Sequence, residues 1–176
     1  MNILIVKLSA IGDIVHALPV AKDLKECFPG CRITWVAEAA GASLLKNHPY
    51  IDEVLLFDKP RFKSLGGFIT HAPGFIAELR KRRFALALDL QGLMKSALIA
   101  RLSGAPKRLV YENAREGSQL LAERVVGPHH GGHVVELYRD VVRHLGCDLE
   151  TADFGLGQAV AGEIHHTEAI LRQAGV

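Results

Sequence analysis

Short apolar runs alternate with amphipathic segments along most of the chain. Runs rich in aliphatic residues have the length of buried strands at residues 2–8, 32–37, 53–57, 84–88 and 108–111. The spacing of apolar residues between and after them predicts helices over 12–28, 42–47, 75–83, 93–102, 117–126, 133–145 and 161–173. This alternation predicts an α/β fold with a Rossmann-like, doubly wound parallel sheet, in which ligands bind at the carboxyl ends of the strands.

The composition is that of a globular domain with an aliphatic core. The 176 residues are 49% hydrophobic and 23% charged, and aromatic residues make up only 6%. Because no apolar run approaches the roughly 18–20 residues of a membrane span, neither a signal peptide nor a transmembrane helix is predicted. The chain stops at Val176, directly after a predicted helix where an α/β protein commonly begins another strand, so a longer parent protein is expected.

The cysteines favour a reducing compartment. Cys27, Cys31 and Cys147 are an odd number in a chain too large to depend on disulfides, which is typical of cytoplasmic proteins. The first two are spaced like zinc ligands, but there is no second cysteine pair, and the intervening Pro-Gly is typical of a turn. We therefore expect structural thiols.

Charge is unevenly distributed. Residues 1–110 hold 16 Lys and Arg against 9 Asp and Glu, whereas residues 111–176 hold 5 against 10. The basic part could attract phosphates, an anionic membrane or nucleic acid, but it lacks the interleaved aromatic residues that stack bases, so nucleic acid is the weaker choice. The basic cluster at 80–83 either complements the negative end of a helix dipole, which we favour, or binds a ligand.

Two predicted strand-to-helix turns carry polar residues where a ligand should bind. The turn at 7–13 lacks the glycines of a dinucleotide fingerprint but offers a lysine, a hydroxyl, one glycine and a carboxylate. Ser9 or Asp13 could cap the helix, and Asp13 could also face the crevice. In the second turn, Gln91 and Lys95 could face the same crevice, whereas Asp89 could equally pair with a neighbouring helix.

These turns resemble a known family. The segment 3–16, with its Lys-x-Ser-x-x-Gly-Asp, and the Asp-x-Gln-Gly-Leu-x-Lys-Ser of 89–96 are similar to glycosyltransferase family 9, specifically its lipopolysaccharide heptosyltransferase I group. The Asn-Ala-Arg-Glu of 113–116 and the His-Val-Val-Glu of 133–136 continue the resemblance to about residue 145. It implies that residues 1–176 are the N-terminal, acceptor-binding half of a GT-B glycosyltransferase, whose C-terminal nucleotide-sugar domain is absent from this chain.

The resemblance also implies a reaction. Heptose would pass with inversion from ADP-L-glycero-β-D-manno-heptose to the Kdo of Kdo-lipid A, without metal or cofactor, on the cytoplasmic face of the bacterial inner membrane with peripheral membrane contact. Asp13 matches the family's proposed general base. The basic segment at 59–63 is thinner than in the family. Candidate acceptor-binding residues come from the two turns, this segment and the Asn-Ala-Arg-Glu stretch: Lys7, Ser9, Gly12, Arg61, Lys63, Gln91, Lys95 and Arg115.

Two alternative functions stay open. The parent could be another family 9 transferase, such as one of the heptosyltransferase II type, or the chain could be a non-catalytic module that binds an anionic glycolipid. The isolated chain is expected to be inactive in transfer. His129, His130 and His133 flank a Gly-Gly pair without an accompanying ligand set, which favours a loop over a metal site, and His16 is given no role.

Overall fold

The computed structural model describes residues 1–62 and 64–157, and within them six parallel strands form one sheet. The strand order is β3-β2-β1-β4-β5-β6, so the chain winds outward from β1 in both directions. The strands are β1 (Asn2–Val6), β2 (Arg32–Ala37), β3 (Glu53–Leu56), β4 (Leu86–Asp89), β5 (Lys107–Tyr111) and β6 (Glu123–Val125). The predicted α/β, Rossmann-like fold class is confirmed.

Helices cover both faces of this sheet. They are α1 (Ile11–Cys27), α2 (Ala39–Leu45), α3 (Leu65–Lys81), α4 (Met94–Leu102) and α5 (Val134–Arg143), with short 3-10 helices at Lys59–Phe62 and Ser118–Leu120. Side chains of β1 alternate between the faces: Ile3 and Ile5 pack with α1 and α5, whereas Leu4 and Val6 pack with α3 and α4. Among the described residues, no helix is both long and apolar enough to cross a membrane.

Two predicted elements differ from the structure in type or by more than three residues at one end. The helix predicted over 117–126 is wrong: this segment forms a 3-10 turn at 118–120 and the edge strand β6, whose Val125 is paired with Tyr111 of β5. Pairing at the sheet edge overrides a weak helical spacing there. Helix α3 begins at Leu65, well before the predicted residue 75, because Ser64 caps it by accepting a hydrogen bond from the Gly67 N–H. The helix predicted over 161–173 lies outside the described residues.

The basic cluster at 80–83 lies at the end of α3, beside the amino ends of the strands. Arg82 donates hydrogen bonds from Nε and Nη2 to the carboxylate of Glu53, at 2.8 and 2.5 Å, and its Nη1 lies 3.2 Å from Glu78 Oε2. Arg80 Nε donates to the Leu102 carbonyl at 3.1 Å. These contacts support the structural interpretation for Arg80 and Arg82, whose side chains bind partners at the amino ends of the strands, away from the two turns.

The expectation that Cys27 and Cys31 are structural thiols is wrong for Cys27. Cys27, the last residue of α1, and Cys147, just after α5, form a disulfide that spans 120 residues of sequence, with their Cα atoms 5.8 Å apart. The packing of α1 against α5 brings the two sulfurs together, which spacing along the chain could not show. Cys31 is a buried free thiol. The cysteines therefore give no support to a reducing compartment.

Candidate functional site

The two predicted turns meet at the carboxyl edge of the sheet. β1 and β4 are neighbouring strands, so the segments that follow them lie side by side. Gln91 Oε1 accepts hydrogen bonds from the backbone N–H groups of Leu8 and Ser9, at 3.1 and 3.2 Å. The Gln91 side chain thus joins the second turn to the first.

Asp13 lies in the first turn of α1, with its side chain half exposed. The expectation that Ser9 or Asp13 caps this helix is wrong, because α1 begins after Ala10 without a side-chain cap. Oδ2 of Asp13 is instead 3.2 Å from Nζ of Lys7. An added Cβ at Gly12 would meet no atom within 4 Å, so the space above this turn is open to a ligand.

The buried Lys7 holds the Asp13 carboxylate from the side of the core. The residue is only 1% exposed, and its ammonium lies over the ring of Tyr138 on α5, 5.2 Å from the ring centroid. Burial lowers the pKa of Lys7, although the carboxylates of Asp13 and Asp89 oppose this effect. Tyr138 packs edge-on against Tyr111, with ring centroids 4.9 Å apart, and burial raises the pKa of the Tyr138 phenol. Lys7 is therefore fixed between the Asp13 carboxylate and the ring of Tyr138.

Asp89 is a buried anchor of the second turn. Its Oδ1 accepts from the N–H groups of Gln91 and Gly92, at 3.0 and 2.9 Å, and its Oδ2 accepts from Ser96 Oγ of α4 at 3.0 Å. Burial raises the pKa of Asp89 to about 6, against these hydrogen bonds and the nearby Lys7, which favour the ionised form. Of the two interpretations of Asp89, the structure supports pairing with the neighbouring helix.

Gly92 allows the 113–116 loop to pack over this turn. Its φ is +68°, and an added Cβ would lie 2.8 Å from Cε1 of Tyr111. The backbone N–H of Arg115 donates to the Gly92 carbonyl at 2.7 Å. Arg115 itself is exposed, and its guanidinium makes no ion pair with the described part of the chain. Burial raises the pKa of Tyr111, and the positive charge of Arg115 opposes this rise.

Other cations lie along the same edge. Lys95 Nζ is 3.4 Å from Glu38 Oε1, and Lys59 Nζ is 4.0 Å from Oε2 of the same carboxylate. Glu38 follows β2 and donates its backbone N–H to the Leu8 carbonyl at 2.9 Å. The exposed Arg61 pairs with Asp58 at 2.7 Å, and Lys63 lies outside the described residues. Of these basic side chains, Lys59 and Lys95 are therefore linked through Glu38 to the first turn.

The histidines of the 127–133 loop have separate partners. His129 Nδ1 lies 2.8 Å from Asp140 Oδ1, and His130 Nδ1 lies 2.9 Å from Glu112 Oε2. His133 caps α5, and its ring lies 5.7 Å from the ring of His16. No group of three or more His, Cys, Asp or Glu residues suited to a metal ion occurs in 1–62 and 64–157. The loop interpretation agrees with these separate contacts.

A comparison with models of protein families shows to which family this chain belongs. The profile of "Glycosyltransferase family 9 (heptosyltransferase)" matches residues 74–165. The chain belongs to glycosyltransferase family 9. Curated relatives place it in the lipopolysaccharide heptosyltransferase I group, which confirms the resemblance of the sequence motifs. Lipopolysaccharide heptosyltransferase 1 of Salmonella typhimurium is 30% identical over 158 residues, 84% of this chain and 49% of that protein. The enzyme of the same name from Campylobacter coli is 35% identical over 105 residues, 58% of this chain and 28% of the relative.

Solved structures of family 9 proteins share the fold. The Escherichia coli heptosyltransferase WaaC with ADP-2-deoxy-2-fluoro heptose superposes with a TM-score of 0.77 at 26% identity, over 90% of this chain and 53% of WaaC. This chain thus spans about half the length of the Salmonella relative and of WaaC, and less of the Campylobacter one.

Sequence reasoning missed several residues of this candidate site. Glu38 directly follows a strand, so the rule that led to Asp13 and Gln91 could have found it. Tyr138 and Tyr111 had no such signal, because they resemble ordinary core residues of a helix and a strand. Only the packing of α5 onto the sheet brings the Tyr138 ring beneath Lys7.

Proposed function

We propose that this chain is the acceptor-binding domain of an ADP-heptose:lipopolysaccharide heptosyltransferase. The transferred group is L-glycero-D-manno-heptose, and the acceptor is the Kdo of Kdo-lipid A in the inner core of lipopolysaccharide. The observation that carries the proposal is the half-exposed carboxylate of Asp13, held at the carboxyl edge of the sheet by the buried Lys7. Family membership supplies the reaction class.

Asp13 acts as the general base. One of its carboxylate oxygens accepts the proton of a Kdo hydroxyl while that oxygen attacks the anomeric carbon of the heptose. The bond from this carbon to the diphosphate breaks in the same displacement, so ADP leaves with the bonding electrons and the configuration inverts. Lys7 fixes the direction of the carboxylate, and its own burial keeps it from contacting the acceptor directly. No step assigned to these residues needs a metal or a cofactor.

The cations around Asp13 bind the acceptor's negative charges. Lys95 extends from the first turn of α4, the exposed Arg115 from the loop that packs over the second turn, and Arg61 from the segment after β3; we assign these three side chains to acceptor binding. Arginine and lysine are suited to the carboxylates and phosphates of an anionic glycolipid. The enzyme would meet this lipid on the cytoplasmic face of the inner membrane, through peripheral contact. The nucleotide-sugar donor would be bound mainly by a second domain.

Calorimetry on residues 1–176 tests the proposal, with a soluble Kdo-containing fragment and with ADP as ligands. We expect the fragment to bind and ADP to bind weakly or not at all. Asp13→Asn should retain fragment binding, because a general base acts during proton transfer and not during binding. Arg115→Gln should weaken fragment binding about tenfold, a typical loss for a charge-assisted hydrogen bond. Tight binding of ADP without binding of the fragment would overturn the proposal, because the crevice would then be a nucleotide site.

A further inference from the structure

An apolar cleft lies between α3 and α4, on the sheet face opposite α1 and α5. Its volume is about 300 Å³, and apart from two lysines its lining is hydrophobic. One wall is formed by residues of α3 at helical spacing, the other by residues of α4, and two phenylalanines close the end nearest β3. The apolar lining consists of Phe57, Phe62, Ala72, Phe75, Ile76, Leu79, Leu98, Ile99 and Leu102.

This cleft is an open concave surface. Leu79 and Ile99 form part of the buried core below it, whereas Leu98 is 37% exposed and Ile76 is partly exposed. A large apolar side chain at the surface of a concave site marks a place where a hydrocarbon group can be buried. The volume corresponds to about ten groups of the size of a water molecule, each with a share of about 30 Å³. A single alkyl chain of medium length fits this space.

The two lysines that line the cleft lie at the carboxyl edge of the sheet. Lys59 follows β3, and Lys95 lies in the first turn of α4, only four residues after Gln91. Both approach the single carboxylate of Glu38, at 4.0 and 3.4 Å, distances longer than those of a tight charge-assisted hydrogen bond. One carboxylate cannot neutralise two ammonium groups, and the lysine side chains remain 54% and 39% exposed. The cleft therefore combines an apolar interior with an excess of positive charge.

We propose that this cleft binds one fatty acyl chain of the anionic glycolipid acceptor. The hydrocarbon lies between α3 and α4, and the negative head group contacts Lys59 and Lys95. The Kdo at the other end of the head group then reaches Asp13. The identity of the glycolipid rests on the proposed function, whereas the chemistry of the cleft rests on its own lining. Charge complementarity selects this occupant, because Glu38 offsets only one of the two positive charges and an apolar protein segment would leave the other uncompensated.

The test uses residues 1–176 and soluble amphiphiles below their micellar concentrations. Dodecyl phosphate carries both required features, butyl phosphate has the same head group with a short chain, and dodecyltrimethylammonium has the same chain with the opposite charge. By calorimetry, we expect dodecyl phosphate to bind at least about tenfold more tightly than either control, because each additional buried methylene strengthens binding. Equal affinities for the dodecyl and butyl phosphates would overturn the proposal.

Matched variants locate the binding site. Leu98→Gln and Ile76→Gln place an amide in the cleft and should weaken dodecyl phosphate binding about tenfold, an effect set by lost apolar contact. Ile69→Gln is the control on α3, since Ile69 is 64% exposed and does not line the cleft. Lys59→Gln should also weaken binding, unlike Lys107→Gln at the amino end of β5. Circular dichroism melting confirms that each variant is folded. Binding unchanged in Leu98→Gln and Ile76→Gln would contradict the proposal.

Two further measurements separate this proposal from its alternatives. The soluble Kdo fragment has no acyl chain, so Leu98→Gln should bind it as the unaltered chain does. Absence of Kdo-fragment binding would count against the proposed function, and absence of dodecyl phosphate binding would count against the acyl-chain cleft. Light scattering shows whether a second copy occupies the cleft instead. A dimer that Leu98→Gln dissociates, together with no binding of dodecyl phosphate, would overturn the acyl-chain assignment in favour of self-association.

Discussion

Lys7 and Asp13 form an ion pair whose two members have opposite environments. The Lys7 side chain is 2% exposed and the Asp13 side chain 51%, with 3.2 Å between Nζ and Oδ2. Tyr138 and the core hold the Lys7 side chain in place, so Lys7 fixes the position of the Asp13 carboxylate and does not itself bind the ligand. One oxygen of Asp13 is thereby held in place, while the carboxylate remains open to the crevice. This arrangement suits a base that must receive a proton at a defined position.

Replacing Asp13 with Asn should strongly reduce transfer while preserving the fold. General bases contribute about 10²–10⁴-fold to rates, so turnover should fall by at least 100-fold. Transfer can be measured after joining residues 1–176 to the C-terminal half of the E. coli relative. Asp148→Asn, at a carboxylate that is 81% exposed beside Arg143, is the matched control and should be active. Turnover retained in Asp13→Asn would exclude Asp13 as the base.

Asp89 should give the folded state a distinctive pH dependence. Its pKa is about 6 in the folded protein and close to 3.8 when unfolded, so the folded state binds the proton more tightly. The stabilisation from this proton is complete below pH 3.8 and is lost as the pH rises through 6. The unfolding free energy of the unaltered chain minus that of Asp89→Asn should therefore fall by about 3 kcal/mol from pH 3.5 to 7, an order-of-magnitude value.

Urea unfolding of both proteins across this pH range provides the measurement. Taking the difference removes the common contribution of carboxylates with lowered pKa values, such as Glu53 and Asp140, whose effect on stability has the opposite sign. A difference that rises with pH would show that Asp89 is held in its ionised form.

The buried ion pair between Arg139 and Asp23 should be costly to break from one side. Arg139 Nε lies 2.8 Å from Asp23 Oδ2, and both side chains are at most 4% exposed. Burial raises the pKa of Asp23 although Arg139 opposes this effect. Arg139→Met should therefore lower the free energy of unfolding by about 3–5 kcal/mol. The double variant with Asp23→Asn should recover part of this loss, and strictly additive effects in urea unfolding would contradict the coupling.

The disulfide between Cys27 and Cys147 should stabilise the chain by about 2–4 kcal/mol, because it closes a long loop in the unfolded state. Unfolding with and without a reductant measures this contribution. Before reduction, a thiol reagent added to the unfolded protein should titrate one cysteine, Cys31, and after reduction all three. Three reactive thiols before reduction would show that the bond is absent.

Glu38→Gln should strengthen binding of anionic ligands at the carboxyl edge of the sheet. The substitution removes the carboxylate shared by Lys59 and Lys95, and a partly exposed pair of this kind is worth little, so we expect a gain of about two- to fivefold for the Kdo fragment. The gain should shrink with added salt. Glu123→Gln, at a 57% exposed carboxylate at the start of β6, is the control. Weaker fragment binding in Glu38→Gln would mean that Glu38 itself contacts the acceptor.

Local pattern alone was enough to predict most of the fold. β2 has the predicted bounds, and the aliphatic run that forms β1 was found because a strand buried on both faces must be apolar throughout. The same pattern failed for the strand ending at Val125, which exists because it pairs with β5. It also missed the beginning of α3, where glycines and Pro73 weaken the helical signal although Ser64 caps the helix.

The sequence by itself determined the class of fold, the two polar turns at the carboxyl ends of β1 and β4 and the family, because these depend on local periodicity and on short motifs. Tertiary structure alone decided which side chains meet. It brought Tyr138 beneath Lys7, Gln91 onto the first turn and Cys27 to Cys147, contacts between residues 82 to 131 positions apart. Such contacts follow from how helices pack on the sheet, and burial then sets the charge of groups such as Asp89, which no local pattern specifies.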